Sequence, residues 1–199
     1  MRKRKRPEKW TVYIVKEGEK REQGFYEFVH DLCQPKKRNI NITSSNNNGG
    51  SSSSLLYAAL KMKNNYRRVF AWIDEDVKLS AEARADLAKA WKVPPFSEEV
   101  EDKDLQRVYN KEKRNPILIV SNPCSCDGFL LQLCNIKVPH APTTDKCKSA
   151  FMGATKAKTK KDEINFYKER FSLKDLEAKR NNFEVLDLVL SIFENPLKK

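Results

Sequence analysis

TVYIVKEGEKRE, residues 11–22, joins a run of β-branched and aromatic residues to an acidic turn that contains a glycine. Such a run is typical of a buried strand, and Gly18 allows the backbone to turn sharply after it. From Arg21 onward, apolar residues recur at helical spacing, beginning with Phe25 and Phe28. The stretch therefore predicts a strand, an acidic turn and a helix, which is the first unit of an α/β fold.

Strand-like and helix-like segments continue to alternate along the chain. Further strands are predicted at 38–43, 68–73 and 115–120, and helices at or near 55–62, 79–91, 105–109 and 129–133. Short connections between strands and helices favour a mostly parallel central sheet flanked by helices. The carboxyl ends of the strands would then share one edge of the sheet, where open α/β sheets bind their ligands.

The composition divides the chain into three parts. Residues 1–9 form a basic N-terminal arm, and residues 10–142 hold the predicted α/β domain. From residue 143 to 199 the chain is rich in lysine and lacks strand-like runs, so we expect a basic helical C-terminal extension packed on that domain. Its last apolar helix, predicted at 183–193, could supply a surface for a homodimer or a partner.

The charge balance points to an anionic partner. The chain has 199 residues and a formal net charge of +12, which favours nucleic acid first and anionic lipid second. No stretch approaches the roughly 18 apolar residues of a membrane span, so we expect no membrane insertion. The five cysteines are irregularly spaced, which favours reduced thiols in the cytoplasm over a zinc site or disulfides.

Carboxylates follow two of the predicted strands. Glu17 comes after the first strand, and Asp74 and Asp76 come after the strand at 68–73. Carboxylates that converge at one sheet edge repel each other unless a cation is bound, and such oxygen ligands suit Mg²⁺ or Mn²⁺. Strand alternation would direct Asp74 and Asp76 to the site and turn Glu75 away. In the alternative interpretation, the acids stabilise the starts of the helices that follow them.

A basic protein with an acidic, metal-holding pocket is suited to phosphodiester chemistry. The cation would stabilise charge on the phosphoryl oxygens, and basic side chains would hold the substrate phosphates. Lys20, Arg21 and Lys78 lie in or beside the acidic turns and are the candidate substrate contacts. For Lys78, a solvated side chain without a contact is the alternative.

These motifs resemble those of the Toprim domain. The glutamate-glycine turn at Glu17, the Asp74-x-Asp76 pair and the Ser-Asn-Pro-Cys sequence at 121–124 together resemble the RloB-like branch of that family. The resemblance covers roughly residues 10–135. Members of the branch resemble phage-defence effectors encoded beside an ABC/AAA-type ATPase, as in the AbiL and PARIS systems.

The resemblance implies roles for individual residues. Glu17, Asp74 and Asp76 would be the catalytic and metal-binding carboxylates, and Glu22 would be a further acid at the metal. Two positions depart from the pattern of the branch. Arg21 stands where threonine is usual, and Asp127, one position out of register, stands near the place of an expected glutamate. Asp127 is therefore a further candidate site residue.

The resulting hypothesis is a Mg²⁺-dependent endonuclease that is the toxic effector of a bacterial abortive-infection system. It would act in the cytoplasm on RNA, with tRNA favoured by the PARIS-like resemblance, under the control of an ATPase partner. Two alternatives stay open at this point. The first is a non-catalytic nucleic-acid-binding or adaptor module, and the second is a Toprim ribonuclease with a housekeeping role.

Overall fold

The structure, a computed structural model, describes residues 10–16, 21–35, 40–46, 51–75, 78–97, 99–109 and 115–194. Within them the strands are β1 (Trp10–Lys16), β2 (Ile40–Asn46), β3 (Arg68–Asp74) and β4 (Ile117–Ser121). The helices are α1 (Arg21–Cys33), α2 (Ser52–Met62), α3 (Ala81–Trp91), α4 (Asp102–Tyr109), α5 (Cys126–Leu133), α6 (Thr144–Thr155), α7 (Lys160–Arg170), α8 (Leu173–Lys179) and α9 (Glu184–Ser191). A short 3₁₀ turn at Arg180–Asn182 joins α8 to α9.

The described strands form one parallel sheet in the order β2-β1-β3-β4. β1 and β3 are therefore the central strands, and Lys16 at the end of β1 is paired with Trp72. Asp74 at the end of β3 is paired with Ser121 at the end of β4. The predicted α/β class and parallel sheet are confirmed, and the carboxyl ends of β1, β3 and β4 lie together at one edge.

Side chains of β1 alternate between two cores, one on each face of the sheet. Val12 and Ile14 belong to the core formed with α1 and α5, whereas Tyr13 and Val15 belong to the core formed with α2 and α3. This is the period of two that a strand imposes, and burial on both faces explains its continuous apolar run. The arrangement is a three-layer α/β/α architecture.

The helices after residue 143 lie on the same face as α1 and α5. Their buried aromatic residues include Phe151, Tyr167 and Phe193, which join the core on that face. The apolar residues of α9 are buried inside the chain: Val185, Leu186, Val189 and Leu190. The structure thus gives no support to the idea that this helix presents an apolar surface to a second copy or a partner.

Two observations complete the outline. In the described part of the chain, no helix is long and apolar enough to cross a membrane. α4 lies along the outer strand β4, where the Gln106 side chain accepts a hydrogen bond from the Val120 backbone N–H. Asp102 of the same helix accepts a bond from the Leu79 N–H at 2.8 Å and so fixes the chain just before α3.

Candidate active site

Asp74 is the predicted site carboxylate that the structure places most clearly. It ends the central strand β3 and is half-buried, and its Oδ1 accepts a hydrogen bond from the Cys126 N–H at 2.9 Å. Cys126 is the first residue of α5, and Ser125 before it makes no side-chain capping bond. Asp74 therefore caps α5 from a neighbouring strand, where its charge also complements the helix dipole.

Glu75 reaches the same turn as Asp74. Its Oε2 accepts a hydrogen bond from the Cys124 N–H at 3.0 Å, and its Oε1 lies 3.1 Å from Lys103 Nζ. The expectation that Glu75 turns away is wrong, because strict alternation holds only within a strand and β3 ends at Asp74.

The acidic turn does not cap the helix that follows it. The α3 N-cap is Ser80, whose hydroxyl accepts a bond from the Ala83 N–H at 3.2 Å. The alternative interpretation therefore fails for Asp74 and Glu75, which hold the turn before α5 instead. Ser80 lies six positions beyond Asp74, at the end of the segment that connects β3 to α3.

The β4–α5 turn, residues 121–125, is tightly built. The Ser121 hydroxyl accepts a bond from Trp72 Nε1–H at 2.7 Å, and the Ser125 N–H donates to the Pro123 carbonyl at 2.7 Å. A Cβ at Gly128 would lie 2.0 Å from the Pro123 oxygen, so the first turn of α5 can pack here only with glycine. The Ser-Asn-Pro-Cys motif is thereby held beside the end of β3.

Arg21 is buried in a network of ion pairs. Its Nε lies 2.7 Å from Asp127 Oδ1, and its guanidinium also pairs with Glu163 of α7. The guanidinium stands 5.0 Å from the centre of the Phe151 ring. These contacts join α1, α5 and α7, and they give no support to the prediction that Arg21 binds substrate.

Arg21, predicted as a substrate contact, and Asp127, predicted as a further site residue, are thus ion-pair partners of each other. Burial raises the pKa of Asp127, while Arg21 and, to a smaller extent, Lys148 oppose that rise. A buried residue in this pairing holds α5 against α1, which is a structural contribution.

The Cys126 thiol marks the point where the described acids approach one another. Burial raises its pKa, and the charges of Glu22, Asp74 and Asp127 raise it further in that order. Glu22 is itself buried in the first turn of α1. The structure thus brings the first residues of α1, the end of β3 and the start of α5 together around one thiol.

Lys16 is the residue of this region that the sequence analysis missed. It ends β1, is fully buried, and its Nζ has no hydrogen-bond partner in the described part of the molecule. Nζ stands 4.7 Å from the centre of the Tyr26 ring. Burial lowers the pKa of Lys16 to about 8, against the opposing charges of Glu27 and Glu22. The sequence feature that could have identified Lys16 is its alternation with Val12 and Ile14, which places its side chain on the face of the sheet that α1 covers.

The other predicted residues are less informative. Glu17, Lys20 and Asp76 lie outside the described residues, and Lys78 is exposed. Among the described residues, no three histidine, cysteine, aspartate or glutamate side chains are grouped closely enough to hold a metal. Asp74 alone among the predicted metal ligands at the strand ends is described, and its carboxylate is the kind of hard oxygen ligand that Mg²⁺ or Mn²⁺ prefers.

No protein-family model, curated protein or solved structure matches this chain. Inference about the site therefore depends on the chain's own motifs and geometry. Those motifs are Asp74 at the end of a central parallel strand, where it accepts the Cys126 N–H, and the Ser-Asn-Pro-Cys turn, whose Cys124 N–H donates to Glu75.

Proposed function

We propose that this protein is a Toprim-type, metal-dependent endonuclease that cleaves RNA, with tRNA the favoured target, as the toxic effector of an abortive-infection system controlled by an ATPase partner. One observation supports this most strongly. At the carboxyl edge of the sheet, the end of β3 is joined to the Ser-Asn-Pro-Cys motif and the helix after it: the Cys124 N–H donates to Glu75, and the Cys126 N–H donates to Asp74. This edge is where ligands bind in open α/β sheets.

In this proposal the cation would be held by Glu17, Asp74 and Asp76, with Glu22 beside them. When bound, Mg²⁺ or Mn²⁺ supplies charge stabilisation at the phosphoryl oxygens and lowers the pKa of a coordinated water. The protein's own contribution is rigidity, because the Cys126 N–H fixes Asp74 Oδ1 and the Trp72 indole fixes the adjacent Ser121 hydroxyl. A preorganised carboxylate needs no rearrangement when the substrate binds.

The positive charge near this edge supports a nucleic-acid substrate. α6 packs on α5, which begins at the candidate site, and the charge of Lys148 of α6 partly opposes the burial that raises the pKa of Asp127. Several lysines from the start of α6 to the start of α7 are exposed: Lys146, Lys148, Lys156, Lys158 and Lys161. Exposed lysines suit phosphate contacts, which dominate nucleic-acid affinity and make it dependent on salt.

A substitution at Asp74 separates chemistry from structure. Asp74→Asn keeps a carbonyl oxygen that can accept the Cys126 N–H bond, but it removes the charge that a cation needs. We expect metal-dependent cleavage of total cellular RNA to fall about 100-fold or more, with an unchanged unfolding temperature. The assay compares Mg²⁺, Mn²⁺ and EDTA, with plasmid DNA as second substrate.

Matched variants complete this experiment. Glu17→Ala and Asp76→Ala should lose cleavage as well, whereas Glu177→Ala, at an exposed acid on α8, should keep it. If the purified protein alone does not cut, the assay is repeated with the ATPase partner that the proposal requires. Cleavage that persists in EDTA, or in Asp74→Asn at the original rate, contradicts the proposal.

A second candidate is a non-catalytic nucleic-acid-binding module. The observation in its favour is that Asp74 and Glu75 already have structural contacts, since Glu75 accepts an N–H bond from the β4–α5 turn and Asp74 accepts one from the first residue of α5. This protein would bind RNA with a steep dependence on salt and would be indifferent to EDTA. Binding without cleavage, unchanged in Asp74→Asn, would support it over the nuclease.

A further inference from the structure

Two cysteine thiols from separate elements meet beside the candidate site. Cys124 Sγ of the β4–α5 turn lies 3.5 Å from Cys147 Sγ of α6. All five cysteines are thiols. The proposed nuclease chemistry uses neither sulfur, so the pairing calls for its own explanation.

The backbone is held by hydrogen bonds at both cysteines. Cys124 has a positive φ of 57°, and its N–H is held by the Glu75 carboxylate. Cys147 lies in the first turn of α6, where its N–H donates to the Thr143 carbonyl at 2.9 Å. Because Thr143 caps α6 and Gly128 locks the turn against Pro123, neither sulfur depends on a flexible segment for its position.

The two thiols differ in access to solvent. Cys147 is fully buried, whereas Cys124 is partly exposed. A disulfide bond is about 2.05 Å long, so the sulfurs need to approach by only about 1.5 Å from their present separation. Rotation of the side chains can supply such a shift. The Cys124 sulfur is accessible to an oxidant, and the Cys147 sulfur beside it is protected from solvent.

We propose that Cys124 and Cys147 are a redox-active pair that forms a disulfide on reaction with a peroxide. The Cys124 thiolate attacks one peroxide oxygen, the O–O bond breaks and water leaves after protonation, which gives a sulfenic acid at Cys124. The Cys147 thiolate then attacks the Cys124 sulfur, the S–O bond breaks and a second water leaves. Overall two thiols lose two electrons and two protons, and one hydrogen peroxide is reduced to two waters.

The location gives this bond a structural consequence. The Cys124 N–H holds Glu75, and the N–H of Cys126, two residues further on, holds Asp74. The disulfide ties the β4–α5 turn to α6, the helix that carries Lys146 and Lys148. The pair is thus a modification site through which peroxide would change the contacts at the carboxyl edge of the sheet. Formation of the disulfide does not depend on the proposed nuclease activity.

The test uses the purified full chain, fully reduced and then treated with one equivalent of hydrogen peroxide. The intact mass should fall by two hydrogen atoms, and dithiothreitol should restore it. Peptide mapping should show Cys147 linked to the peptide that contains Cys124. In Cys124→Ala and Cys147→Ala the linked species should fall at least about tenfold, whereas Cys134→Ala, at a partly buried thiol with no described sulfur partner, should still form it.

The test can be interpreted even if one of the cysteine variants fails to fold. Cys126 and Cys134 share the tryptic peptide 115–137 with Cys124, so fragmentation of the linked wild-type peptide identifies which cysteine is bound to Cys147. Circular dichroism of each variant shows whether it is folded. Three results overturn the proposal: a thiol count unchanged by peroxide, addition of oxygen to Cys124 without loss of hydrogen, or a linkage that persists in Cys147→Ala.

Discussion

Two buried cations lie on either side of the β1–α1 connection, and they differ in the partners that surround their charges. Arg21 at the start of α1 is paired with Asp127 and with Glu163. Lys16 at the end of β1 has no hydrogen-bond partner in the described residues, and its ammonium faces the ring of Tyr26. Burial of a charge is costly unless the charge is paired, so the two residues must affect stability differently.

The difference separates a structural cation from one that the fold alone does not explain. Arg21 connects three helices, so its position is accounted for by the packing of α1, α5 and α7. Lys16 is buried at the carboxyl edge of the sheet although burial disfavours its charged form and lowers its pKa to about 8. Perturbed groups of this kind concentrate at functional sites, and this edge is the one that holds Asp74.

The largest expected effect is the loss of Arg21. Arg21→Met leaves Asp127 and Glu163 buried without their cation, and breaking a buried pair in this way costs about 3–5 kcal/mol of unfolding free energy. Urea denaturation followed by circular dichroism measures the change. If the triple variant Arg21→Met, Asp127→Leu, Glu163→Leu recovers most of the stability, the network is structural, as the comparison requires.

The matched control is an exposed ion pair on the same two helices. Lys168 Nζ of α7 lies 3.3 Å from Asp31 Oδ2 of α1, with both side chains about half exposed. Lys168→Met should change the unfolding free energy by less than about 0.5 kcal/mol. Equal losses in Lys168→Met and Arg21→Met would contradict the distinction drawn here between buried and exposed pairs.

A second substitution tests the turn that positions Asp127. Gly128→Ala places a Cβ against the Pro123 carbonyl oxygen, and the backbone must move, so we expect a loss of about 3 kcal/mol. Gly153→Ala is the matched control, because no atom lies within 4 Å of the added Cβ in α6. That control should gain up to about 1 kcal/mol from helix propensity. Thermal and urea unfolding of both variants measure the contrast.

The fold was largely predictable from the sequence because its signals are local. The β1 alternation and the apolar run of β3 both follow from burial on two faces of a parallel sheet. The placement of Asp74 at the sheet edge was predictable for the same reason. What the pattern could not provide was a partner distant in sequence, such as the Cys126 N–H for Asp74.

The role of Arg21 shows this limit most clearly. Sequence position placed it in an acidic turn, which suggested contact with phosphate, but Glu163 lies far along the chain in a helix with little amphipathic pattern. Local propensity carries no information about which distant helix packs on α1. Lys16 was missed for a different reason, since a lysine that ends an apolar strand usually extends into solvent.

The burial of Lys16 predicts a dependence of stability on pH. Below about pH 8 the lysine is protonated in both states, and the folded state bears the full desolvation cost. As pH rises from 8 toward the ordinary value of 10.5, the folded protein loses this proton first, so the unfolded state binds more protons and stability rises.

Lys16→Met removes this effect. At about pH 7 in EDTA, the variant should be more stable than the wild type by up to about 3 kcal/mol, and the gap should narrow as pH rises. Tyr26, whose pKa is raised to about 12 mainly by burial, is present in both proteins and cancels from the difference. Urea denaturation at several pH values provides the measurement, and a constant gap would show that Lys16 is not desolvated.

The smallest effect concerns the two charges that adjust the pKa of Lys16 from a distance. Glu27 raises it and Lys160, which lies 2.8 Å from Glu27, lowers it. Lys160→Met should therefore raise the pKa of Lys16, because it removes a like charge and leaves the Glu27 carboxylate unneutralised, whereas Glu27→Gln should lower it. NMR titration of lysines labelled at Cε measures both shifts. Opposite signs in the two variants would place Lys16 in this charge network, and the absence of a shift in both would mean that burial alone sets its pKa.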